Sequence, residues 1–159
     1  MLNNISNNSS QSIGDFATLK NLTLNSNVGQ KSIPPGTYGN FTASRGSGFI
    51  LGVTGGAEPS IYNLQSLTLN SNSQLQIVGP VIITLPSGVI FNSIAGDANN
   101  PEWLELRIAS GGLTVNSSGL FFGNVIAPSG TVTINNRLEG NITADRLVIN
   151  ANGVFKVVN

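Results

Sequence analysis

The 159-residue sequence contains no cysteine and no histidine. The first absence excludes a disulfide framework and thiolate nucleophiles, and leaves the redox compartment unreadable from thiols. Together the two remove the usual zinc ligand sets and every triad built on an imidazole. Charge is nearly as scarce. Seven Lys and Arg balance seven Asp and Glu, so charged residues are 9% of the chain against the roughly 25% of an average globular protein. The basic residues Lys20, Lys31, Arg45, Arg107, Arg137, Arg146 and Lys156 form no run. Nucleic acid, bound by clustered cations against phosphate, is not an expected partner, and neither is an anionic membrane surface. No apolar run approaches a membrane span, so membrane insertion is not expected. The start, Met1-Leu2-Asn3-Asn4-Ile5-Ser6-Asn7-Asn8, has neither the basic nor the apolar region of a signal peptide.

Asn, Ser, Thr and Gly occupy the polar positions instead, while hydrophobic residues make up 40% of the chain and fall into short alternating runs. A disordered chain is poor in Val, Ile and Leu, so this composition points to a folded β protein. One phrase, apolar–Thr–apolar–Asn, recurs. It reads Leu22-Thr23-Leu24-Asn25, Leu67-Thr68-Leu69-Asn70, Leu113-Thr114-Val115-Asn116 and Val132-Thr133-Ile134-Asn135, then weakens to Leu147-Val148-Ile149-Asn150. Each copy has the period of a half-buried strand and ends on a residue suited to a turn. A short strand repeated with a fixed turn residue is the mark of a solenoid, in which a coil buries its face only by stacking on the next.

The spacing of the copies predicts coils of roughly 15 to 23 residues, with the phrase degraded in alternate early coils. Short β-rich runs at Phe49–Val53, Leu75–Val78, Val81–Leu85 and Leu104–Ile108 fill the intervals, separated by Gly, Pro and Asn. Two stretches, Gly52–Pro59 and Ala95–Pro101, are too long for turns and are expected to bulge as loops. Residues 1–14 read as a flexible polar arm and 15–159 as a single β-solenoid domain. Phe121-Phe122-Gly123-Asn124-Val125-Ile126-Ala127 aligns with Leu138-Glu139-Gly140-Asn141-Ile142-Thr143-Ala144, giving a second strand and a matched corner.

The line Leu138 to Asn150 resembles the Gly–x–Ile–x–Ala–x–x–Leu–x–Ile coils of bactofilins, the polymer-forming cytoskeletal β-helices of bacteria. The longer stretch Pro35–Val157 is similar to Asn/Gly-rich β-solenoid regions of secreted bacterial surface proteins. The repeat predicts an all-β, parallel β-helix of about six to eight coils, right-handed by the precedent of β-solenoids. The second resemblance implies a place outside the cell or at its surface, with the cytoplasm left open. Neither resemblance implies a catalytic residue.

The expected core comprises Leu22, Leu24, Leu67, Leu69, Ile83, Leu106, Leu113, Val115, Ile134, Ile142 and Ile149. Thr23, Thr68, Thr114 and Thr133 should form an outward column at the strand spacing of about 4.8 Å. Such an array is the surface type of ice-binding solenoids. It is also what exposed β positions select, and Lys20 and Arg107 are expected near the same face. Asn25, Asn70, Asn116, Asn135 and Asn150 should stack as a corner ladder of bonded amides.

Catalytic carboxylate pairs are missing. Of Asp15, Glu58, Asp97, Glu102, Glu105, Glu139 and Asp145, only Glu102 and Glu105 come near one another, and on one strand they would face opposite sides. Loop 96–102 offers oxygens for Ca²⁺ but reads better as a polar turn. Trp103, Phe121 and Phe122 would make a sugar platform if exposed, or packing if not. The sequons at Asn21, Asn40, Asn116 and Asn141 carry little weight in so Asn/Thr-rich a chain. No enzyme activity, metal or cofactor is expected. The expected role is structural, in a surface layer, adhesin stalk or filament. The rival is a module that binds ice or surface glycans. The uncapped β-forming end, with Val154, Phe155, Val157 and Val158, predicts association with another copy through strand edges.

Overall fold

The computed structural model describes residues 4–7, 16 and 19–158. Parallel strands wind into a β-solenoid of about eight turns, with three strand positions in each full turn. The first position carries β1 (Asn4–Asn7), followed in the next coil by β2 (Asn21–Leu24), β3 (Gly29–Ser32) and β4 (Gly36–Thr37). Then come β5 (Asn40–Ala43), β6 (Ser47–Leu51) and β7 (Ser60–Asn63), and after them β8 (Ser66–Leu69), β9 (Gln74–Ile77) and β10 (Val81–Leu85). The next coil has β11 (Val89–Phe91), β12 (Ile94–Gly96) and, after a 3₁₀ turn at Pro101–Trp103, β13 (Leu104–Ile108). The last coils are β14 (Leu113–Val115), β15 (Leu120–Phe122), β16 (Asn124–Ile134), β17 (Arg137–Gly140), β18 (Ile142–Ile149) and β19 (Val154–Val157).

Register defines three faces. The first stacks β1, β2, β5, β8, β11 and β14; the second runs from β3 through β6, β9, β12, β15 and β17 to β19; the third stacks β4, β7, β10 and β13. β16 turns the corner from the third face to the first, with its register break between Ala127 and Thr131, and β18 repeats that path beside it. The two aligned rows pair as the sequence predicts, Phe121 with Leu138, Val125 with Ile142 and Ala127 with Ala144.

Inward columns make the core because alternate side chains on every strand point to the axis. Leu22, Phe41 and Leu67 follow one another on the first face, as do Leu113 and Val132 further along. Phe41 and Phe49 meet across a corner at 5.2 Å, Phe91 and Phe121 at 5.5 Å. Nine of the expected core residues are buried. Two are not: Ile142 is half-buried and Ile149 is 46% exposed. Both point inward, but they lie in the terminal strand β18, on whose far side no described strand stacks.

Coil length varies more than predicted. Neighbouring corner residues are 15 apart at Asn135 and Asn150, but 26 apart at Asn40 and Ser66, where the insertion 52–59 lengthens the turn. Between β12 and β13 the excursion begins at Asp97, because Ala95 and Gly96 belong to the strand. Of the polar arm expected over 1–14, residues 4–7 form β1, since Ile5 supplies an inward apolar group against Leu22. Residues 1–3 and 8–14 lie outside the described residues.

Candidate functional site: side-chain ladders, an open end and a groove

The structure places Thr23, Thr68, Thr114 and Thr133 in one outward column of the first face. Thr23 precedes Thr42 and Thr42 precedes Thr68; Thr114 precedes Thr133. Thr42 went unnoticed in the sequence because Ala43 and Ser44 replace the Leu and Asn of the phrase. Ile90, 54% exposed, interrupts the column one coil after Thr68, and Val148 follows Thr133. Arg107 does not lie near this face. It belongs to β13 on the third face, between Thr84 and Ile126, and pairs with Glu105 at 3.3 Å.

The Asn corner is a bonded ladder over its second half. Asn116 Nδ2 donates to Asn92 Oδ1 at 2.6 Å, Asn135 Nδ2 to Asn116 Oδ1 at 3.4 Å, and Asn150 Nδ2 to Asn135 Oδ1. Asn25 instead donates to Ser6 Oγ at 2.8 Å. Asn70 is held in this corner by its backbone N–H on Ala43 O. A second ladder that the phrase did not reveal opens the first face, with Asn21 Nδ2 on Asn4 Oδ1 at 2.6 Å and Ser66 Oγ on Asn40 Oδ1 at 2.7 Å. Asn21 Oδ1 also accepts the Asn40 backbone N–H at 2.7 Å. Three of the four sequon amides, those of Asn21, Asn116 and Asn141, therefore act as ladder donors.

The described carboxylates with partners, Glu105, Glu139 and Asp97, are engaged separately. Glu139, nearly buried, meets Arg137 at 2.6 Å and Lys156 at 3.9 Å. Glu102 sits in the 3₁₀ turn and Glu105 on β13, so the two do not share a strand. Asp97 Oδ1 accepts the Asn99 N–H and Oδ2 the Asn100 amide, each at 2.9 Å, which makes loop 97–103 a closed polar turn. Among the described residues no group of three acids, histidines or cysteines could hold a metal. Asp15 lies outside the described residues. Phe121 is buried in the core, which removes it from any sugar platform; Phe122 is largely buried but lines the groove described below, and Trp103 is half-buried and remains at the surface.

Two surfaces stand out. The first is the end formed by β18 and β19, where Leu147 (40%), Ile149 (46%), Val154 (44%) and Val157 (56%) are exposed. Of the expected edge residues, Val154 and Val157 are open, Phe155 is half-buried over Leu138, and the Val158 N–H bonds Gly140 O. The second is a groove of about 610 Å³ on the second face, floored by Gln74, Gln76 and Ile94 and walled by Thr54, Asp97 and Trp103. The sequence announced the two loops beside it, but only the register shows that they stand on one face. No helix among the described residues is long and apolar enough to cross a membrane. Comparison with protein-family models, with curated proteins and with solved structures gives no match, so a reading of this chain's use rests on these surfaces.

Proposed function

We propose that this chain is a non-enzymatic structural module, a rigid rod that joins a second copy of itself through the end built by β18 and β19. The observation that carries the reading is the open apolar end. Leu147 and Ile149 occupy core columns, directly after Val132 and Ile134, yet no described strand stacks beyond them. Terminal strands also leave half their backbone groups unpaired, and natural sheets usually blunt such edges with charge, proline or a cover. Here charge is limited to Asp145, Arg146 and Lys156, and eight of the twelve residues of β18 and β19 are apolar.

The opposite end differs in kind. Its inward positions include Asn7, paired with Leu24, and Lys31, paired with Phe49, and both are buried. An apolar end matches its own duplicate better than a polar one, so the joint is isologous, with the two copies related by a two-fold axis. The resemblance of residues 138–150 to bactofilin coils supports a structural, self-associating role, and that of the longer stretch to bacterial surface solenoids supports a place at a cell surface. The dispersal of the carboxylates supports the absence of catalysis, and the break at Ile90 weighs against an ice-binding plane.

Sedimentation across a concentration series tests the proposal. The expected result is a concentration-dependent dimer, and Ile149→Asp should leave the fold intact by circular dichroism while shifting the species to monomer. A chain that stays monomeric at high concentration, or an Ile149→Asp variant that associates as before, overturns it.

A further inference from the structure

Two insertions leave the solenoid at the same corner, between the second and third faces. One follows β6 and the other follows β12. The coil between them turns that corner tightly, with only Val78, Gly79 and Pro80 linking β9 to β10. The insertions therefore stand on either side of β9 and make its outward surface the floor of a trough. Insertions in a repeat array gather on the face that meets other molecules.

Both walls are fixed. A β-carbon at Gly79 would lie 2.2 Å from Val53 O, so the first wall packs directly on the tight turn. It closes on itself through the Gly56 N–H on Val53 O at 2.9 Å. The second wall is held by the two Asp97 contacts, by buried Pro101, and by the Trp103 N–H on Asn100 O at 3.1 Å. The volume falls in the range of small-ligand sites, and no lid needs to move.

The lining chemistry is selective. Gln74 and Gln76 present carboxamides, Thr54 a hydroxyl and Asp97 a carboxylate, and no Lys or Arg takes part. The side chains of Gln74, Gln76 and Trp103 make no hydrogen bond to other described residues, so their donors and acceptors are open to a ligand. Without a cation the groove has nothing to hold phosphate, sulfate or a uronate. One carboxylate, already engaged by two donors, makes a poor partner for a basic peptide. Amides beside a carboxylate and a hydroxyl suit a ligand whose every edge both donates and accepts. A half-buried indole in a groove that Ile94 and Leu120 also line suits one with an apolar C–H face. We infer that the groove between the two insertions binds a neutral glycan, with one sugar stacked on Trp103 and its hydroxyls bonded by Gln74, Gln76 and Asp97. This site is separate from the C-terminal end and stands whether or not the rod pairs.

Trp103 is the single tryptophan, so its emission reports on this groove alone. The test titrates the chain with cello-, chito-, manno- and laminarihexaose, followed by emission and by calorimetry, with oligogalacturonate as the charged control. At least one neutral hexasaccharide should shift the Trp103 emission to shorter wavelength. Gln76→Ala and Trp103→Phe should each weaken its binding tenfold or more by calorimetry, with Thr133→Ala, on another face, unchanged. Silence to all four neutral sugars, binding of the charged control alone, or full affinity in Gln76→Ala overturns the inference.

Discussion

Tyr62 is fully buried, and its hydroxyl joins two coils: it donates to Ile33 O at 2.6 Å and accepts the Gly52 N–H at 3.0 Å. Tyr38, nearby, donates to Pro34 O at 2.6 Å. Burial, and secondarily the neighbouring Tyr62, pushes the Tyr38 phenol up from 10.0 to about 12. Burial also raises Tyr62, partly offset by the Gly52 N–H. In the unfolded chain both ionise near pH 10. The folded state therefore holds protons that the unfolded state has released, and the contribution to stability is complete below pH 10. It drains as pH climbs from 10 towards 12. Urea midpoints should fall across that window in the native chain, and the fall should be shallower in Tyr38→Phe. An identical profile for the variant would show that this phenol is not responsible. A different constraint acts at the corner after the first face, where Asn27 and Asn72 take left-handed φ of 64° and 63° beside Gly46 at 75°. Asn enters that region more readily than other side-chain-bearing residues, which gives the turn after the repeated phrase a physical reason.

Among the elements, β18 and β19 each have a single strand neighbour, β16 and β17 respectively, as do β1, β3 and β4 at the opposite end. Their outer amides have no described partner, whereas those of β11 and β14 lie within the stack. Hydrogen exchange on a dilute sample should open the edge strands β18 and β19, together with β1, β3 and β4, before β11 and β14, which stay closed until global unfolding. Uniform protection along the chain would contradict this. In these strands the limits of sequence reading are plain. Period-2 alternation shows that Leu147 and Ile149 point inward, but not whether another coil covers them. The first face was legible because its strands keep apolar residues inward and Thr outward over several coils. The second face was legible only in part: the runs that became β6 and β9 and the paired rows of β15 and β17 stood out, but β3 reads Gly-Gln-Lys-Ser and β12 Ile-Ala-Gly, with no alternation to recognise. The groove lay beyond the sequence for a related reason. Its loops were visible as long Gly/Pro/Asn stretches, but their shared corner depends on the number of turns between them.

For the whole molecule, the first and last described strands of the first face lie at opposite ends of the stack, so the chain enters at one end of the axis and leaves at the other. The hydrogen bonds between coils run along that same axis. Tension applied through the two chain ends therefore loads them one coil after another rather than all together. The coil lengths described above become a sequence of unequal steps. Peeling the turn between Asn135 and Asn150, 15 residues, releases about 50 Å of chain at roughly 3.4 Å per residue. Freeing the turn from Asn40 to Ser66, 26 residues, releases about 90 Å by the same measure. A single molecule held between optical traps should yield a graded sawtooth, short steps first from the β19 end and the longest late. One all-or-none rupture would refute it. Under load, a rod of this construction would give ground by a known length at each step, a tether that pays out in measured increments before it breaks.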